Sequence, residues 1–419
     1  VSVTPDQPRK AGRPLWWVAG LSLCLLVASG LLAWSLTDDD TYVAPSPHAA
    51  RPSVEPMLAT TTLAAFETAV RERDQDAARA LAPEDDPAAA DALAALVANA
   101  DHLDVGDFSL RYVDDDGAPT SDGAWDAAVD ATWRFRGFDT VSGRAEVDAH
   151  LVDDGDRVAL AGFGGGGRVS PVWLSGPVQV RRTPSTLVVV AGSSDAADRY
   201  AARAEAAVPV VRRVLPTWRR GLVVEVPASV DALEAALGAD QGDYDQIAAV
   251  TTSADGSTAP SSPVHVFVNP DVFGSLRPTG AQVVMSHEAT HVATGAWDST
   301  TPLWLLEGFA DYVALRDVDL PVDRSAAQII AAVRRGGAPR HLPDESAFGA
   351  RTPRLGATYE SAWLACRLIA QERGEPALVG FYRAVDRGRP LADALRSETG
   401  FTVPELTADW RSELQGLAS

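Results

Sequence analysis

The chain has 419 residues, of which 46% are apolar and 22% charged. That composition lies close to average globular usage and excludes both a disordered chain and a single small module. Lys and Arg number 36 against 57 Asp and Glu, a formal charge of 36 − 57 = −21. Such a field repels phosphate backbones, so nucleic acid is not an expected partner. The two cysteines, Cys24 in an apolar run and Cys366 far from it, indicate a fold that needs no disulfide.

Residues 15–36 (LWWVAGLSLCLLVASGLLAWSL) form 22 uncharged positions, about 33 Å as a helix against a hydrocarbon layer of about 30 Å. Arg9, Lys10 and Arg13 precede this run and Asp38, Asp39 and Asp40 follow it. The expectation is a single transmembrane helix with residues 1–14 cytoplasmic and the remainder outside the cell membrane. Residues 37–56 mix acids, Pro, Ser and Ala without an apolar period and read as a linker.

From residue 57 to about 81, Leu58, Leu63, Phe66, Val70 and Leu81 recur at mostly helical spacing, and residues 88–100 read as a second helix. Alternating segments follow at 108–113, 124–138, 141–151 and 158–163, which predicts an antiparallel meander. Helices and then strands indicate a small α+β domain over residues 57–168. This element order resembles the cone-shaped domains of the nuclear-transport-factor-two-like superfamily. The run Gly164 to Gly167 marks its end, and without a following Lys-Ser/Thr it reads as a turn or linker, not a phosphate loop. Beyond it, residues 187–191, 222–226, 247–251 and 264–269 read as strands, 196–215 as a helix, and 279 to the end as mostly helical.

The chemistry lies in Ser286-His287-Glu288-Ala289-Thr290-His291. On a helix His287 and His291 differ by about 40° in azimuth and about 6 Å in rise, so both imidazoles leave one face and can share a metal. Glu288, rotated by about 100°, stays free to act on a water. Two histidines leave zinc short of ligands, and the segment Trp304-Leu305-Leu306-Glu307-Gly308-Phe309-Ala310-Asp311 offers a third. Glu307 sits in an otherwise apolar turn, where a carboxylate is costly to bury unless a cation compensates it. Asp311, one turn on, can accept the spare N–H of a ligating imidazole and so orient it.

H-E-A-T-H followed by W-L-x-E-G-F-A resembles the gluzincin metallopeptidases, most closely the bacterial peptidase MA-like domains, over about residues 170–419. The resemblance implies a metallopeptidase domain (169–419) with a mixed sheet and a mainly helical C-terminal part. It implies His287, His291 and Glu307 as Zn²⁺ ligands, Glu288 as general base toward a zinc-bound water, and Asp311 as the acid after the third ligand. An electrophilic tyrosine is also implied; Tyr359, in Tyr359-Glu360-Ser361-Ala362-Trp363, is the candidate and His341 its rival. No G-x-M-E-N segment precedes the zinc helix, which favours endopeptidase over aminopeptidase action.

The expected whole is an α+β chain: a membrane-anchored, extracytoplasmic zinc metallopeptidase hydrolysing a peptide or protein substrate. Residues 264–269 offer a possible edge strand for an extended peptide; an ordinary buried strand is the competing reading, with His265 structural. A second class of function is an envelope-anchored binding or scaffolding protein whose zinc site is structural or vestigial. Glu288 favours the enzyme, because a structural site has no need of a base.

Overall fold

The computed structural model describes residues 54–419, except 258, 260, 350, 351 and 353. These belong to one compact unit, Pro52–Ser419. Helix α1 (Pro56–Glu72) buries Ala59, Leu63, Phe66 and Val70 at helical spacing and stops at Arg73 in the left-handed region. A short α2 (Gln75–Arg79) is capped by Asp74, and α3 (Pro87–Leu103) starts from an Asp86 cap with proline in its first turn. The single periodic stretch to residue 81 is thus two helices broken at Arg73 and Asp74.

Four antiparallel strands follow in simple meander order: β1 (Val105–Asp115), β2 (Ala124–Phe135), β3 (Gly143–Asp153) and β4 (Val158–Phe163). Ala145, Val147, Ala149 and Leu151 of β3 alternate inward and share a core with Leu63, Phe66, Leu93 and Leu96 of the helices. The glycine run is a fastened turn. Gly164, Gly165 and Gly166 have positive φ, a Cβ on Gly166 would lie 2.4 Å from Asp148 Oδ2, and the guanidinium of Arg168 pairs with Asp116, Glu146 and Asp148.

The chain then enters a five-stranded mixed sheet in the order β5-β6-β7-β9-β8. Its strands are β5 (Gln179–Arg182), β6 (Thr186–Val190), β7 (Leu222–Val226), β8 (Ala249–Ser253) and β9 (Val264–Val268). β6, β7 and β9 run parallel while β5 and β8 are antiparallel edges. Helix α4 (Ser194–Val214) links β6 to β7, and α5 (Val230–Leu237) follows β7. Because side chains alternate along a strand, this sheet serves two cores. Val188, Val190, Val224, Val266 and Val268 join the C-terminal helices, whereas Leu187, Val189, Val223 and Phe267 join the meander and its helices. The segments on either side of residue 168 therefore share a core.

One polar cluster crosses that shared layer. His265 of β9 is fully buried; its Nδ1 lies 2.6 Å from Glu225 Oε1 and its Nε2 2.9 Å from Asp139 Oδ1. Its ring stacks on Phe135 of β2 at 5.4 Å. Burial opposes the charged imidazole, but the two carboxylates outweigh it and the pKa is pushed up to about 10.

The remainder is helical: α6 (Pro270–Ser275), α7 (Pro278–Thr294), α8 (Leu303–Leu315), α9 (Val322–Ser325), α10 (Ala327–Gly336), α11 (Leu355–Arg373), α12 (Glu375–Asp386), α13 (Leu391–Thr399) and α14 (Val403–Ala418). Proline in the first turn and Gly295 in the left-handed region bound α7. Gly308 lets α8 meet α11, since a Cβ there would lie 2.4 Å from Ala362 O.

The expected fold class needs correction. The described chain is a mixed α+β fold of fourteen α-helices and two sheets, and no helix among the described residues is long and apolar enough to cross a membrane. The longest of them, α4 with 21 residues, carries charges along its length, from Asp195 to Arg213. Residues 15–36 lie outside the described residues. The expected membrane-anchored, extracytoplasmic location is withdrawn with the spanning helix. The edge-strand expectation for 264–269 also changes: β9 lies between β7 and β8, and β8 is the edge.

Candidate metal centre

Helix α7 lies between the second sheet, α4 and α8, so it is apolar on several sides. Met285 and Ala289 enter the core while His287 and His291 face α8, where Glu307 and Asp311 stand one turn apart. His287 Nε2 is 2.9 Å from His291 Nε2 and 3.1 Å from Glu307 Oε2, and His291 Nε2 is 3.4 Å from Glu307 Oε2. Ligand bonds of about 2.0–2.2 Å around tetrahedral zinc place donor atoms about 3.3 Å apart. The donor set and spacing therefore fit one zinc ion.

Three lone-pair donors at such separations repel one another unless a proton or cation lies among them. Burial works against the charged form of His287, but Asp311 and Glu307 overcome it and hold the pKa well above its ordinary value. Burial likewise opposes ionisation of Glu307, and His291 and His287 outweigh it, holding that carboxyl well below the usual range. Asp311 Oδ1 lies 2.8 Å from His287 Nδ1; a proton held there leaves Nε2 free for a metal.

Glu288 stands apart from these donors. It is 6% exposed, and Thr251 of the edge strand β8 donates from Oγ1 to its Oε2 at 2.7 Å. Spacing in the sequence could not reveal Thr251, because its contact arises only when β8 packs on α7.

Tyr359, on the first turns of α11, lies with its ring 6.3 Å from that of His287 and packs edge-on against Phe348. Burial, then the carboxylates of Glu307, Asp311 and Glu288, raise its pKa far above the ordinary phenol, so it keeps its proton and can donate. His341 is exposed and lines a separate cavity of about 450 Å³ with Arg340, Arg354 and Trp410. Tyr312 donates to Glu375 Oε2 at 2.8 Å, and buried Tyr382 stacks on Phe309. Both are occupied elsewhere.

Among known proteins, no family model matches this chain and no curated protein gives a significant match.

Proposed function

We propose that the chain is a zinc-dependent peptidase acting on internal peptide bonds. The observation that carries this reading is the separation of roles at one centre: three donors converge from α7 and α8, while Glu288 is held away from them beside the free edge of β8. A purely structural site closes around its metal with four protein ligands and needs no neighbouring base.

Bound by His287, His291 and Glu307, zinc would supply Lewis acidity toward a water and a substrate carbonyl. The chain's own residues do the rest. An extended peptide pairing with β8 would pass beside Thr251 and Glu288. Glu288 would accept the water's proton on its carboxylate and return it to the departing amine nitrogen. Tyr359 would donate its phenolic hydrogen to the carbonyl oxygen as that atom gains negative charge; losing such a donor typically costs about 100- to 1,000-fold in rate.

The test compares zinc content and peptide hydrolysis in the wild-type chain and in Glu288→Gln. Retained zinc with hydrolysis abolished supports the proposal. Undiminished hydrolysis removes Glu288 as the base, and peptide binding without turnover by the wild-type protein would favour a binding module.

A further inference from the structure

A cavity of about 740 Å³ opens where the end of α7 (Val292 to Gly295) meets the loop before β7 and the last turn of α12. Four arginines line it: Arg219, Arg220, Arg383 and Arg387. In a chain of net charge −21, a wall with four positive charges against the one of Asp386 inverts the local field.

About half of the other described arginines are paired with acids, among them Arg168 with three, Arg181 with Asp198, Arg213 with Asp317, Arg316 with Glu375 and Arg367 with Glu413. The cavity arginines are not. Arg219 donates only to the backbone carbonyls of Pro216 and Trp218, and Arg383 only to Thr217 Oγ1 at 3.3 Å. The guanidinium groups of Arg220 and Arg387 have no hydrogen bond or ion pair among the described residues. Asp386 accepts instead from Ser299 Oγ at 2.8 Å. None of the four donates to the last carbonyls of α7, so helix capping does not explain them. Arg383 and Arg387 also line an adjoining cavity of about 510 Å³, in which Arg389 is paired with Glu398.

We propose that this cavity binds a small multivalent oxyanion, a phosphate ester or polycarboxylate. Like charges gathered without counter-charges destabilise the empty site, and planar guanidinium groups match the oxygens of phosphate and carboxylate in a two-pronged fashion. The volume suits a small molecule. Arg220 and Arg387 would supply the free donors, with Arg219 and Arg383 turning from their weak local partners.

Isothermal titration of the full-length zinc-loaded chain with fructose 1,6-bisphosphate and, separately, with tricarballylate tests the site and tells the two chemistries apart. The variants are Arg220→Gln/Arg387→Gln and, as a control for net charge, Arg335→Gln at an exposed position of α10. The expected result is saturable one-to-one binding of at least one probe, weakened at least tenfold in the double variant and less than twofold in the control. Arg220 and Arg387 are not among the grouped donors His287, His291 and Glu307, so binding of a probe to zinc alone would survive their loss. Equal binding in wild type and double variant, or no saturable binding of either probe, overturns the proposal. Neither outcome depends on peptidase activity.

Discussion

Replacing Thr251 by valine deletes one hydroxyl while keeping the side chain's shape and its place in β8. That hydroxyl donates to Glu288 Oε2 at 2.7 Å, and Thr251 is only partly buried. Hydrogen bonds to charged groups contribute about 1.5–3 kcal/mol, and partial exposure places this one near the lower end. If the bond fixes the carboxylate where it must take a proton, losing about 1.5 kcal/mol of orientation lowers kcat about tenfold, since each 1.36 kcal/mol is a factor of ten. Steady-state hydrolysis of a fluorogenic peptide measures this, with zinc content as a control. Thr251→Ser, which keeps the hydroxyl, should recover most of the rate. If valine and serine variants both match the wild type, Thr251 does not position the base.

Asp311→Asn should weaken zinc binding by about 10- to 100-fold, read by competition with a chromophoric chelator, because the imidazole of His287 loses the carboxylate at its Nδ1. Gly308→Ala should destabilise the fold by about 1–3 kcal/mol in urea unfolding. The new Cβ meets the backbone of Ala362 at 2.4 Å, a clash that outweighs alanine's helix-propensity advantage of about 1 kcal/mol. His265→Asn should cost about 3–5 kcal/mol at pH 7 by leaving Asp139 and Glu225 buried without their cation. The wild type should also lose stability between pH 7 and 9. His265 holds its proton in the fold to about pH 10 but releases it near 6.5 when unfolded, so its contribution is complete below about pH 6.5 and falls by about 1.4 kcal/mol per pH unit above it. Urea midpoints for His265→Asn should lack this slope; equal slopes would refute the assignment.

The convergence of His287, His291 and Glu307 was legible because its logic is local. A four-residue spacing puts His287 and His291 on one helical face, and a carboxylate in the apolar turn around Glu307 calls for a cation. Strands β6, β7 and β9 were legible within a residue or two from their β-branched runs, whereas the short polar β5, with Arg181 and Arg182, carries no such pattern. What escaped depends on how elements pack. β9 reads as well for an edge as for an interior strand, and only the sheet order shows that β8 has the free edge. Thr251 looks like any strand threonine until α7 lies against it. Gly308 has an ordinary helical φ, so its purpose appears only in the approach of α11. The charge cluster at Arg219, Arg220, Arg383 and Arg387 joins segments more than 160 positions apart.

X-ray absorption at the zinc edge, together with metal content, examines the centre most directly. The account predicts one zinc per chain, bound by two imidazole nitrogens at about 2.0–2.1 Å and oxygen donors for the rest, with the metal lost from His291→Ala. A chain that binds no zinc, or that keeps it with an unchanged spectrum after His291→Ala, would contradict the account.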